Sequence, residues 1–140
     1  MATDEETPRA IIERLLGANP DGAVDTSIDV LELLANNLVG IIGEQGFDTL
    51  LFRSAHRVNL DFPWLMYDPR NKPADPEFLQ LRECFEGQPS ERAGRASTLL
   101  LTTLVDILGV LIGEHMTMLI VQPALQRASI RNNSKEQDNG

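Results

Sequence analysis

One cysteine, two histidines and an aromatic content of 5% leave this chain short of the residue types from which many functional sites are built. Cys84 alone excludes an internal disulfide, and a reducing compartment suits it. With only His56 and His115 beside it, a Cys/His zinc site lacks conventional ligands. A carboxylate-bridged metal site in a helical bundle needs a Glu or Asp three or four residues from a His, because that spacing puts both on one face. Around His56 those positions hold Phe52, Arg53, Asn59 and Leu60; around His115 they hold Leu111, Ile112, Met118 and Leu119. His115 therefore reads as a packed or interface histidine. No G-x-S-x-G elbow appears, and no glycine-rich loop joins a strand to a helix. No catalytic residue, no metal and no cofactor is expected.

Basic residues are also few, 12 Lys and Arg against 21 Asp and Glu, for a formal net charge of −9. The excess lies early: residues 1–50 carry ten acids against Arg9 and Arg14, whereas residues 51–100 carry seven of each sign. A phosphate backbone repels such a surface, and no Lys/Arg stripe with interleaved aromatics offsets it, so nucleic acid is not an expected partner. The N-terminus, MATDEETPRAIIERLL, lacks a positive region followed by an apolar stretch, so no secretory signal is read there and the expected address is cytoplasmic.

What the chain does have is helical periodicity. Apolar residues recur at three- and four-residue spacing, and no stretch alternates apolar and polar with β-branched enrichment. At 140 residues and 42% hydrophobic content, one soluble all-α domain is expected, a bundle of about five to six helices over residues 7–128, between a flexible 1–6 and a disordered polar tail at 129–140. Thr7-Pro8 suits the start of a first helix, with Ile11, Ile12, Leu15 and Leu16 facing the core and Gly17 ending it. A second helix starts near Asp25-Thr26, presents Ile28, Leu31, Leu34, Leu38, Ile41 and Ile42, and stops near Gly46. A third runs from about Phe47 to Leu60 with Phe47, Leu51, Ala55 and Val58 inward. Three prolines mark residues 61–75 as a connection whose Trp64, Leu65 and Tyr67 pack on the bundle. Asp75-Pro76 repeats the start signal for a helix through Phe78, Leu79, Leu81 and Phe85 that ends at Gly87. Ser90-Glu91 then opens the longest segment, reaching about Val121 and kinked or interrupted by Pro123.

Shifted by 70 positions, the chain aligns with itself. NNLVGIIGE at 36–44 falls on DILGVLIGE at 106–114, and Gly17 pairs with Gly87, Ser27 with Ser97, Leu31 with Leu101, Leu34 with Leu104, Leu38 with Leu108 and Arg57 with Arg127. The order in each half is a short helix, a glycine stop and a long apolar helix ending in Ile-Gly-Glu. Two hairpin halves, 7–60 and 76–128, related by a pseudo-two-fold axis, are the expectation.

The segment from Leu99 to Val121 is apolar on nearly every face, which demands burial all round. In so small a domain the cover is expected to come partly from a second copy, with Gly109 and Gly113 allowing close approach; a homodimer through 99–121 follows. The length also suits a membrane span, but Asp106 at its centre would cost roughly 2.5–3.5 kcal/mol, Glu114 and His115 add to this, and no Lys or Arg flanks it closely, so no span is expected.

Glu44 and Glu114 follow apolar runs near what read as helix C-termini, where the macrodipole disfavours anions. Arg57 and Arg127 are the compensating cations offered by the repeat, as Glu–Arg pairs locking each hairpin. The functional alternative is a polar pocket where Glu44, Glu114 and Asp106 face a cationic or hydrogen-bonding ligand. RSAHRVN places His56 beside Arg53 and Arg57, and in having a bundle histidine with basic neighbours it resembles a histidine phosphotransfer domain, although Asn59-Leu60 stands where those domains carry Lys-Gly. A phosphate-accepting signalling role through His56 is what that resemblance implies. The leading expectation is a non-catalytic interaction or regulatory module, with a small-molecule-binding domain using Glu44 and Glu114 as the alternative.

Overall fold

A computed structural model describes residues 7–68 and 78–139, with side chains to Arg131. The chain is all-α: α1 (Pro8–Gly17), a 3₁₀ turn (Pro20–Gly22), α2 (Ala23–Asn59), α3 (Leu79–Phe85), α4 (Ser90–Ile112) and α5 (Glu114–Asn139). Thr7 caps α1 as its sequence suggests, the Oγ1 accepting from the Ala10 amide at 3.1 Å with proline next in line. The Asp75-Pro76 start signal and residues 1–6 lie outside the described residues.

The long helices break elsewhere than proline and glycine placement suggests. α2 is interrupted not at Gly46 but at Gly43, where φ is 81° and ψ 166°. The segment expected to run unbroken from Ser90 to Val121 is cut at Gly113, with φ 90° and ψ 155°. This region of backbone space is open in practice only to glycine. Gly113 serves both helices it separates: its amide donates to the Gly109 carbonyl at 2.9 Å and its carbonyl accepts from the Thr117 amide at 3.0 Å. Pro123, by contrast, sits inside α5 without ending it. The carbonyl deprived of its donor belongs to Leu119, and both residues lie on the exposed face, where water can replace the missing bond. α5 also continues to Asn139 as helix, beyond the point near 128 where the polar composition suggests that order ends.

α4 is the centre of the structure, packed against α1, α2, α5 and the 3₁₀ turn. Leu100, Leu101, Leu104 and Leu108 are fully buried by the chain itself, while Leu99 and Ile107 are only partly buried. Leu31, Leu34 and Leu38 of α2 are buried equally, while Ile41, expected inside, is 52% exposed. Beyond Asn59 the connection packs down: Leu65 and Tyr67 are buried, and Trp64 stands edge-on between Phe62 and Phe85, each ring 5.7 Å away. Two helical stretches, 20–59 and 90–112, are long and apolar enough to cross a membrane by length and composition; 44% and 50% of the apolar windows are buried by the chain itself.

Some positions 70 apart share local structure as well as residue type, whereas Gly17 is helical and Gly87 has φ 85°. Gly43 and Gly113 take the same backbone conformation. Ser27 Oγ donates to the Val24 carbonyl at 2.7 Å and Ser97 Oγ to the Gly94 carbonyl at 3.0 Å, the same bond displaced by 70. At the other end of the scale Leu60 and Ile130 are 73% and 65% exposed.

Candidate functional site

The break at Gly113 turns the chain so that the start of α5 faces the last turns of α4 and the start of α1. Between them lies an open groove of about 820 Å³ lined by, among others, Arg9, Asp106, Val110, Glu114, His115 and Met118. Of the charged residues singled out in the sequence, this groove brings together Asp106 and Glu114. Asp106 is exposed on α4 and held by Arg9, whose Nη1 lies 2.5 Å from the Asp106 Oδ2. Arg9 is the residue that periodicity missed: it is one cation in a first helical turn, and its partner is 97 positions away.

Glu44 is not part of that groove. It opens the second arm of α2, and Glu114 opens α5. Both therefore sit at helix N-termini, where the macrodipole favours an anion, and the expected conflict with a C-terminal dipole does not exist. The Glu–Arg locks are absent as well. Arg57 shares a helical arm with Glu44, and Arg127 shares α5 with Glu114. Thirteen residues of helix separate each pair by about 20 Å. All four side chains are exposed. Glu44 with Arg57, and Glu114 with Arg127, are members of one rod and not partners across a hairpin.

Arg127 lies beside Leu33, Asn36 and Pro123 at a separate depression of about 410 Å³. His56 is exposed and stacked on Phe52 with ring centroids 6.2 Å apart, beside a shallow pocket that also touches Asn59, Met66 and Tyr67. His115, read as a packed or interface histidine, is not packed within the chain but exposed on the groove. Neither Gly109 nor Gly113 is approached by another backbone; a Cβ built on either meets nothing within 4 Å.

Two groups have shifted acidities. Burial, then the Glu44 carboxylate one turn away, raises the Asp48 carboxyl above its ordinary value. Cys84, half-buried on α3, has its thiol pushed up by burial, against which its contact with the Met66 carbonyl at 3.6 Å works weakly. A raised thiol pKa means little thiolate near neutrality, which is the wrong direction for a nucleophile. Among the described residues no buried side-chain nitrogen or oxygen lacks a partner, and no three His, Cys, Asp or Glu stand close enough to hold a metal ion. Among the described residues the buried polar side chains are all serines and threonines, and no charged side chain is buried. Comparison of the chain with protein-family models, with curated proteins and with solved structures finds no match.

Proposed function

We propose that this chain is a non-catalytic interaction module that associates with a second copy of itself through the turn between α4 and α5. The observation that carries this reading is an apolar surface on that turn: Val110 is 86% exposed, Leu111 58%, Met116 44% and Leu119 57%. Residues of this kind scattered singly need no explanation, but four within ten positions, on either side of one glycine break, form a patch of the kind that partners cover. Because α1, α2 and α5 already cover Leu100, Leu101, Leu104 and Leu108, the interface in this reading is narrower than the whole apolar segment and centres on 110–119. The exposed placement of Glu44, Arg57, Arg127 and His56 supports a binding role.

A duplicated helical unit underlies the module in this reading. The matched glycines at 43 and 113, the matched serine bonds at 27 and 97, and the burial of Leu31, Leu34 and Leu38 with Leu101, Leu104 and Leu108 support it. A cytoplasmic setting accords with the free, half-buried thiol of Cys84. Sedimentation equilibrium at micromolar concentration tests the association. A dimer is expected for the unaltered chain and a monomer of unchanged helicity for Val110→Asp combined with Leu119→Asp; a monomer throughout would overturn self-association.

A further inference from the structure

We propose that the groove between α1, α4 and α5 is a binding site for a small aromatic amine, whose ring occupies the place that Phe78 fills at the corresponding joint of the other half. The proposal goes beyond self-association, and the choice of ring rests on the correspondence of positions 70 apart argued above.

At the joint between α3 and the bend of α2, Phe78 and Phe47 are 5% and 4% exposed and meet edge-to-face with centroids 6.4 Å apart. Phe47 stands four residues, about one helical turn, beyond the Gly43 break. The corresponding positions beside the Gly113 break are Pro8 and Thr117. Neither carries a ring, and the Thr117 hydroxyl is turned onto its own helix, donating to the Gly113 carbonyl at 2.7 Å. The groove of about 820 Å³ is what the missing aromatic pair leaves open, and its size falls in the range of small-molecule sites. Residues 1–6, MATDEE, contain no aromatic residue that could fill it.

The lining sets the rest of the ligand. Ile11, Val105 and Met118 supply apolar walls, and a thioether against a ring edge is a favourable contact. Among the charges on the groove, Arg9 and Asp106 offset each other across their 2.5 Å contact. Glu114, without an ion pair among the described residues, is left to meet the ligand. An ammonium or guanidinium satisfies it, and a chain of net charge −9 repels the anionic counterpart.

Titration of the full chain with phenethylamine, read by amide NMR shifts, tests this. Saturable shifts confined to the groove residues of α1, α4 and α5 are expected. Butylamine, with the same ammonium and no ring, and phenylpropionate, with the ring and the opposite charge, are each expected to bind at least about tenfold more weakly. Gly109→Leu fills the groove from a position where an added Cβ meets nothing within 4 Å, and it is expected to abolish the shifts without loss of fold. Thr117→Phe rebuilds the ring of the other half; it is expected to abolish them too and to raise the melting temperature. Phenethylamine binding that survives Gly109→Leu, or butylamine binding equally well, overturns the site. A Thr117→Phe chain that melts lower while Gly109→Leu still blocks binding counts against the correspondence of the halves and not against the site, and neither result bears on the dimer, which is read separately by mass.

Discussion

Gly43 and Gly113, 70 positions apart, hold the backbone at φ 81° and 90° with ψ 166° and 155°, and each turns one long apolar helix into the next. Space is not what requires glycine there, since an added Cβ would meet nothing within 4 Å at either position; backbone conformation is. Gly43→Ala and Gly113→Ala are each expected to lower stability by about 1–3 kcal/mol, measured by urea denaturation. Gly109→Ala, one turn earlier and in regular helix, is expected to be neutral or to stabilise by up to about 1 kcal/mol. Equal losses at 109 and 113 would contradict this account.

The edge-to-face pair of Phe47 and Phe78 ties α3 to α2. Either ring cut to alanine leaves a cavity in a buried joint and should cost about 3–5 kcal/mol. Thr117, the position corresponding to Phe47, is also buried but carries far less apolar volume. Thr117→Ala should cost clearly less than Phe47→Ala, a comparison that parallel melts provide.

Surface electrostatics gives a contrast between a pair that meets and one that does not. Arg9 and Asp106 are in contact but about half-exposed, so a double-mutant cycle is expected to return a coupling of no more than about 1 kcal/mol, weaker in high salt. Glu114 and Arg127 should show no coupling at all. Glu114→Gln alone should cost about 0.3–1 kcal/mol through the α5 dipole. A measurable coupling to Arg127 would restore the hairpin lock.

Asp48 supplies the pH dependence. Its carboxyl is raised in the folded chain by burial and by Glu44, so the folded state holds that proton to higher pH than the unfolded state does. Its contribution therefore becomes more favourable as pH falls through the raised value, and ionised Asp48 is a penalty at neutral pH. Asp48→Asn is expected to melt higher than the parent at neutral pH, with the gap closing in the acid range. A gap that stays constant across thermal melts from neutral to acid pH would sink the assignment.

How much was legible can be judged residue by residue. Of the expected stripes, Ile12, Leu15 and Leu16, then Ile28, Leu31, Leu34 and Leu38, and Phe47, Leu51, Ala55 and Val58 are buried, whereas Ile11 and Ile42 are partly buried and Ile41 is exposed. Periodicity reports this because a helix buries one face, whatever it packs against. Thr7 as a cap was equally local. The breaks were not: Gly46 and Pro123 carry the stronger stop signals, yet the chain turns at Gly43 and Gly113. Whether a glycine uses its freedom depends on what the next helix gains by folding back, which no local pattern encodes.

The same division runs through the site. By itself the sequence determined an acidic, all-helical chain, its core stripes, and the Ile-Gly-Glu triplets at 42–44 and 112–114 as unusual points. Only the tertiary structure decided that those glutamates begin helices instead of ending them. It also decided that Arg9 reaches Asp106 across 97 positions, and that a groove stands open between α1, α4 and α5. Local propensity follows from a residue and its near neighbours along the chain. Charge pairing and cavity shape follow from which surfaces meet, and that is settled by packing the whole chain at once.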